Sequence, residues 1–72
     1  MTDTKEFKVA LIRNGITAGE LADKVNLSRQ SLSYKMNNIR EFTSSEIAKI
    51  CEVLNLDIAE KERIFFGNTV DN

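Results

Sequence analysis

Four times along this chain a Gly or Asn is followed directly by an aliphatic residue: Gly15-Ile16, Asn26-Leu27, Asn38-Ile39 and Asn55-Leu56. Gly and Asn tolerate the left-handed backbone that ends a helix, and an apolar residue behind them folds back onto the last turn. A helix-start signal follows each pair within a few residues. Thr17-Ala18-Gly19-Glu20 and Thr43-Ser44-Ser45-Glu46 read as capping boxes, in which hydroxyl and carboxylate satisfy each other's orphan amides. Ser28 and Asp57 can cap the other two starts, and Asp3 or Thr4 a first helix. Four stops and five starts leave room for short helices and little else.

The apolar spacing agrees. Phe7, Ala10 and Leu11 mark a helix over about 4–14, and Ala18, Leu21, Ala22 and Val25 one over about 18–25. Only Leu32 and Met36 are apolar anchors in a third, about 29–37. Ile47, Ile50, Cys51 and Leu54 form a full stripe over about 44–54, and a short fifth helix, about 58–66, ends in Ile64, Phe65 and Phe66. Nothing alternates with period two, so the expected fold is all-α with five helices in one domain, residues 4–66, followed by a flexible tail at 67–72. A chain of 72 residues buries only about 60% of its unfolded surface, so the core must be compact.

Composition removes whole classes of function. The chain has no histidine, hence no ordinary general base and none of the commonest metal ligand. A single cysteine, Cys51, makes neither an internal disulfide nor a zinc site, and its place on the apolar stripe reads as a buried structural thiol. Asp57, Glu60 and Glu62 have no nucleophile beside them and read as a solvated acidic end. No catalytic residue, metal, cofactor or small-molecule ligand is therefore expected. The apolar runs are too short for a membrane span, and Met1–Glu6 is not a secretory signal, which makes a cytoplasmic, nucleoid-associated protein the expectation.

Function concentrates where the second and third helices meet. Only Asn26, Leu27 and Ser28 separate them, and two-turn helices joined so tightly must cross steeply, as a helix-turn-helix spanning about 18–37. Leu21, Val25, Leu27 and Leu32 are placed to fill the angle, and Ala22 is small where the axes approach. Gln30, Ser33, Tyr34 and Asn37 fall opposite Leu32 and Met36, with Arg29 on the exposed first turn. A helix with two anchors gains little by burial and presents its outer face to something else. The charge pattern points the same way. Net charge is −1 overall, yet residues 24–40 hold Lys24, Arg29, Lys35 and Arg40 and no acid. Taken together these features favour nucleic acid.

From Phe7 to Phe66 the chain resembles the Cro/cI-type (XRE) helix-turn-helix regulators of phages and prophages, chiefly through GITAGELADKVNLSRQSLSYKMNN (15–38) and REFTSSEIAKICEVLNL (40–56). The resemblance implies a lambda-repressor-like domain whose third helix, about 29–37, lies in the DNA major groove. It puts Arg29, Gln30, Ser33 and Tyr34 at base-reading positions and Thr17, Ala18, Asn37 and Arg40 at phosphate positions; Ser28 and Lys35 are further phosphate candidates. The chain departs from the pattern in having Ala18 where many relatives carry Gln, Asn26 and Asn38 where they often carry Gly, and Lys35 where they carry an aliphatic residue, with Met36 taking over that anchor. The implied function is a Cro-like repressor acting by occupancy of double-stranded operator DNA. Two copies on an inverted repeat are expected, as a weak homodimer touching through Ile64, Phe65 or Phe66, with one of the two phenylalanines in the core. Two other readings stay open: a protein-binding adapter of antitoxin or anti-repressor type, suggested by the acidic C-terminal half, and excisionase-like DNA architecture.

Overall fold

The computed structural model describes residues 1–66; the tail expected at 67–72 lies outside the described residues. Five helices follow one another: α1 (Thr4–Asn14), α2 (Ala18–Lys24), α3 (Arg29–Met36), α4 (Ser44–Val53) and α5 (Ile58–Lys61), the last running on as a π-helix over Glu62–Phe66. No strand occurs among the described residues. The fold is all-α, as the sequence leads one to expect.

Each stop is built as the Gly/Asn pairs predict. Gly15, Asn26, Asn38 and Asn55 carry positive φ angles of 67°, 62°, 66° and 53°. The amide behind each of them (Ile16, Leu27, Ile39, Leu56) donates to the carbonyl five residues back at 2.8 to 3.2 Å, which satisfies an otherwise orphaned helix-end acceptor. Ile16, Leu27 and Leu56 then pack against the core, but Ile39 is 67% exposed. The starts hold as well. Asp3 caps α1, Ser28 caps α3, and complete capping boxes open α2, α4 and α5 through Thr17/Glu20, Thr43/Glu46 and Asp57/Glu60.

The core is formed by Phe7, Ala10 and Leu11 of α1, Leu21 and Ala22 of α2 with Val25 behind it, Leu32 and Met36 of α3, Ile50 of α4 with Leu54 behind it, and Ile64 and Phe65. Phe42, from the loop before α4, completes an aromatic trio. It stacks on Phe7 at 5.8 Å between centroids, and Phe65 meets both rings edge-on at 5.7 and 5.4 Å. Each such contact is worth about 0.5–1.5 kcal/mol beyond its buried area.

Three expectations need correction here. Cys51 is only half-buried, with Ile50 taking the deepest place on α4. Ile64 and Phe65 are both core residues at 3% exposure, which removes them as dimer contacts; of the three candidates only Phe66 is exposed, at 43%. Ile64 and Phe65 both lie in the π-helical stretch over Glu62–Phe66, and an inward-facing adjacent pair also occurs in α1 (Ala10, Leu11) and α2 (Leu21, Ala22), where the buried face is wide enough for two neighbours. The ordered body also begins before α1: Thr2 is buried, and the Asp3 amide donates to the Ile64 carbonyl at 2.7 Å.

Candidate nucleic-acid interface

α3 is held from beneath and left open on top. Ser28 Oγ accepts from the Ser31 amide at 3.0 Å, starting the helix directly after the turn. Leu32 and Met36 seat it at 1% and 4% exposure against Leu21, Ala22 and Val25. Arg29, Gln30, Ser33 and Asn37 are exposed and Tyr34 is half-buried. Thr17, Ala18 and Ser28, at the start of α2 and of α3, are exposed as well.

Side chains on this face are tied to one another. Gln30 Nε2 donates to the Tyr34 hydroxyl at 2.9 Å. The Arg40 guanidinium lies over the Tyr34 ring, 5.2 Å from its centroid. Asn37 Nδ2 donates to the Ser33 carbonyl at 2.8 Å, so this amide finishes the helix. At the other end the Arg29 guanidinium lies back across α2, where a Cβ on Gly19 would stand 2.8 Å from Arg29 Cζ. Gly19 thus provides the surface on which Arg29 rests, a role that no local pattern around Gly19 announces.

Lys35 is placed differently from the other cations. Its Nζ donates to both carboxylate oxygens of Glu46 at 2.7 Å, and the two side chains are 12% and 18% exposed. This pair docks the last turn of α3 onto the first turn of α4, and it gives Lys35 a carboxylate partner that Lys24, Arg29 and Arg40 lack. Burial alone would raise the Glu46 carboxyl, but the hydrogen bonds from Lys35 and the Thr43 amide, with the charge of Lys35, outweigh it and hold the group below its ordinary value. Burial pushes the Cys51 thiol up, against the opposing charge of Lys61, which leaves it less nucleophilic than a free thiol.

Glu60 pairs with Arg13 at 2.9 Å and Glu6 with Arg63 at 3.6 Å, both away from α3. Among the described residues Lys24, Arg29 and Arg40 have no carboxylate partner, and neither do Lys5, Lys8, Lys49 and Lys61; what sets the first three apart is their place beside α3 in a stretch without acids. The result is a helix with a neutral, hydrogen-bonding outer face and unpaired cations before, at its start and after it. Hydrogen-bonding side chains suit base edges, and flanking cations suit phosphates. No group of His, Cys, Asp or Glu among the described residues could hold a metal ion, and no described helix is long and apolar enough to cross a membrane.

Comparison with known proteins agrees with this geometry. The helix-turn-helix family model matches residues 8–61, from the second turn of α1 to the end of α5. No curated protein and no solved structure gives a match beside it. With that match over most of the chain and an open α3 set behind a tight turn, the chain belongs to the XRE-type helix-turn-helix family of DNA-binding transcription regulators.

Proposed function

We propose that the protein is a Cro-like repressor that blocks transcription by occupying an operator with α3 in the major groove. The observation that carries this reading is the outer face of α3: Arg29, Gln30 and Ser33 stand exposed on one helix whose only buried residues are Leu32 and Met36. Gln30 suits the adenine edge and Arg29 the guanine edge, each good pair contributing about 1–3 kcal/mol of discrimination. Thr17, Ala18, Ser28, Asn37 and Arg40 flank that face and serve the phosphates. Lys35 has no part in this set, because Glu46 holds it.

A single eight-residue helix covers only a few base pairs, and one module buries about 600–1,000 Å² on DNA. Two copies on an inverted repeat supply the missing selectivity, as a dimer too weak to persist in free solution. Selection from random duplexes followed by footprinting tests the reading. The expected result is an enriched inverted repeat whose affinity falls steeply with salt, because phosphate contacts release counterions. Failure to enrich any sequence, with binding instead to a protein, would turn the reading toward the adapter. Enrichment with strong bending and no effect on transcription would turn it toward an architectural role.

A further inference from the structure

Tyr34 is the one residue on the outer face of α3 that touches both a base-reading and a phosphate-binding candidate. Its hydroxyl accepts from Gln30 one turn earlier. Its ring lies under Arg40, and its backbone carbonyl accepts from the amides of Ile39 at 2.8 Å and Arg40 at 3.3 Å. Being half-buried, it is less free to project into a groove than Gln30 or Ser33, which are exposed. The three side chains run along the face in the order Gln30, Tyr34, Arg40.

The chemistry of these contacts is directional. One N–H of the Gln30 amide is taken by the phenol oxygen, and the second N–H and the carbonyl Oε1 remain, which is the pair an adenine edge needs. The phenol keeps its own proton and can donate it to a phosphate oxygen. Arg40, set over the ring, keeps its N–H groups around the guanidinium edge, the arrangement that suits phosphate. Fixing both side chains before DNA arrives lowers the ordering cost that flexible Gln and Arg side chains would otherwise bring to binding.

We propose that Tyr34 is a positioning residue that holds Gln30 and Arg40 as one preorganised unit, rather than itself reading a base. The proposal rests on the DNA reading given above and goes beyond it by coupling recognition of one base pair to the grip on a neighbouring phosphate. Two variants separate the contacts: Tyr34→Phe removes the hydroxyl and keeps the ring, and Tyr34→Leu removes both.

The arrangement is tested first in the free protein by NMR. Arg40 side-chain protons should be shifted by the ring in the parent and in Tyr34→Phe, and lose that shift in Tyr34→Leu. The Gln30 side-chain amide signals should move in both variants. Binding to the duplex selected by the parent is then measured against salt. Tyr34→Phe should lose about tenfold in discrimination at the pair read by Gln30 with its salt slope intact. Tyr34→Leu should in addition lose about one unit of salt slope, the loss expected when one cation–phosphate contact is removed. Adding Gln30→Ala to Tyr34→Phe should then cost almost no further discrimination.

Fully additive losses, or Gln30 and Arg40 signals that ignore Tyr34 while the parent selects a duplex, overturn the positioning role alone. A parent that selects no duplex overturns the DNA reading and this proposal with it, even where the NMR contacts are present, so the two failures are told apart.

Discussion

The side-chain amide of Asn38 is locked to the backbone of Thr2 by two hydrogen bonds: Asn38 Oδ1 accepts from the Thr2 amide and Asn38 Nδ2 donates to the Thr2 carbonyl, both at 2.9 Å. Two residues away on each side, Thr4 Oγ1 donates to the Met36 carbonyl at 2.6 Å. The segment before α1 therefore buckles the end of α3 in place, and it does so through a residue already in the left-handed conformation, φ 66°. Asn38 does two jobs that different replacements separate. Asn38→Gly keeps the backbone angle and loses the two bonds, worth about 0.5–1.5 kcal/mol each. Asn38→Ala loses the bonds and adds left-handed strain of about 1–2 kcal/mol. Denaturant unfolding should rank them parent, Gly, Ala, and amide exchange should speed up first in the last turn of α3. Equal stability of the two variants would mean that backbone strain has no weight at this position.

Acid should loosen the seat of α3 through a different contact. The folded state holds Glu46 below its ordinary value of 4.5, so in that range the folded chain binds fewer protons than the unfolded one. The stability from the Lys35–Glu46 pair is complete above the ordinary carboxylate range and is lost as pH falls through the lowered value. Glu46→Gln keeps an acceptor for the Thr43 amide but leaves Lys35 without a counter-charge, at a cost of about 1–3 kcal/mol near neutrality. Unfolding curves taken between neutral and acidic pH should converge for parent and variant at the acidic end. Curves that stay parallel would remove Glu46 from the acid response.

Gly19→Ala should separate stability from recognition. Alanine is favoured over glycine in a helix by up to about 1 kcal/mol, and the new methyl would meet only the far end of Arg29, a side chain free to move. The expected variant melts a few degrees higher. Its Arg29 no longer rests on α2, so preference at the base pair proposed for Arg29 should change. Unchanged preference with raised stability would show that Arg29 finds its base from any starting position.

What the chain reveals before folding follows the range of the interactions. The left-handed stops at Gly15, Asn26, Asn38 and Asn55, and the capping boxes at Thr17 and Thr43, are decided within a few residues and stand open in the sequence. So does the split of α3 into a buried Leu32–Met36 side and a polar side. Contacts between distant segments leave no such trace. Lys35 reads as a surface cation until α4 brings Glu46 against it, and Phe42 lies in a loop where no helical period marks it as core. Ile39 carries the same Asn-aliphatic signal as Leu27 and Leu56, yet it has no core beneath it and stays exposed. Helical spacing does place one of Phe65 and Phe66 in the core and the other outside, but which of them faces inward is decided by Phe7 and Phe42, far away in the chain.

Phe66 is the remaining candidate for contact between two copies. It is 43% exposed while its neighbours Ile64 and Phe65 are closed in the core, so a charge there can be tolerated by the fold. In a twofold dimer the two α3 helices would lie one DNA turn apart, about 34 Å, on an inverted repeat. Phe66→Lys should leave helical content and melting nearly unchanged and leave half-site affinity as it was. Its effect should fall on the full repeat, where the second copy would no longer gain from the first. Titration of a full repeat and a half-site, with bound copies counted by native mass spectrometry, reads this directly. Cooperativity that survives Phe66→Lys would move the contact elsewhere on the protein. A parent that binds the full repeat and the half-site with equal affinity, one copy on each, would make this regulator a monomeric binder.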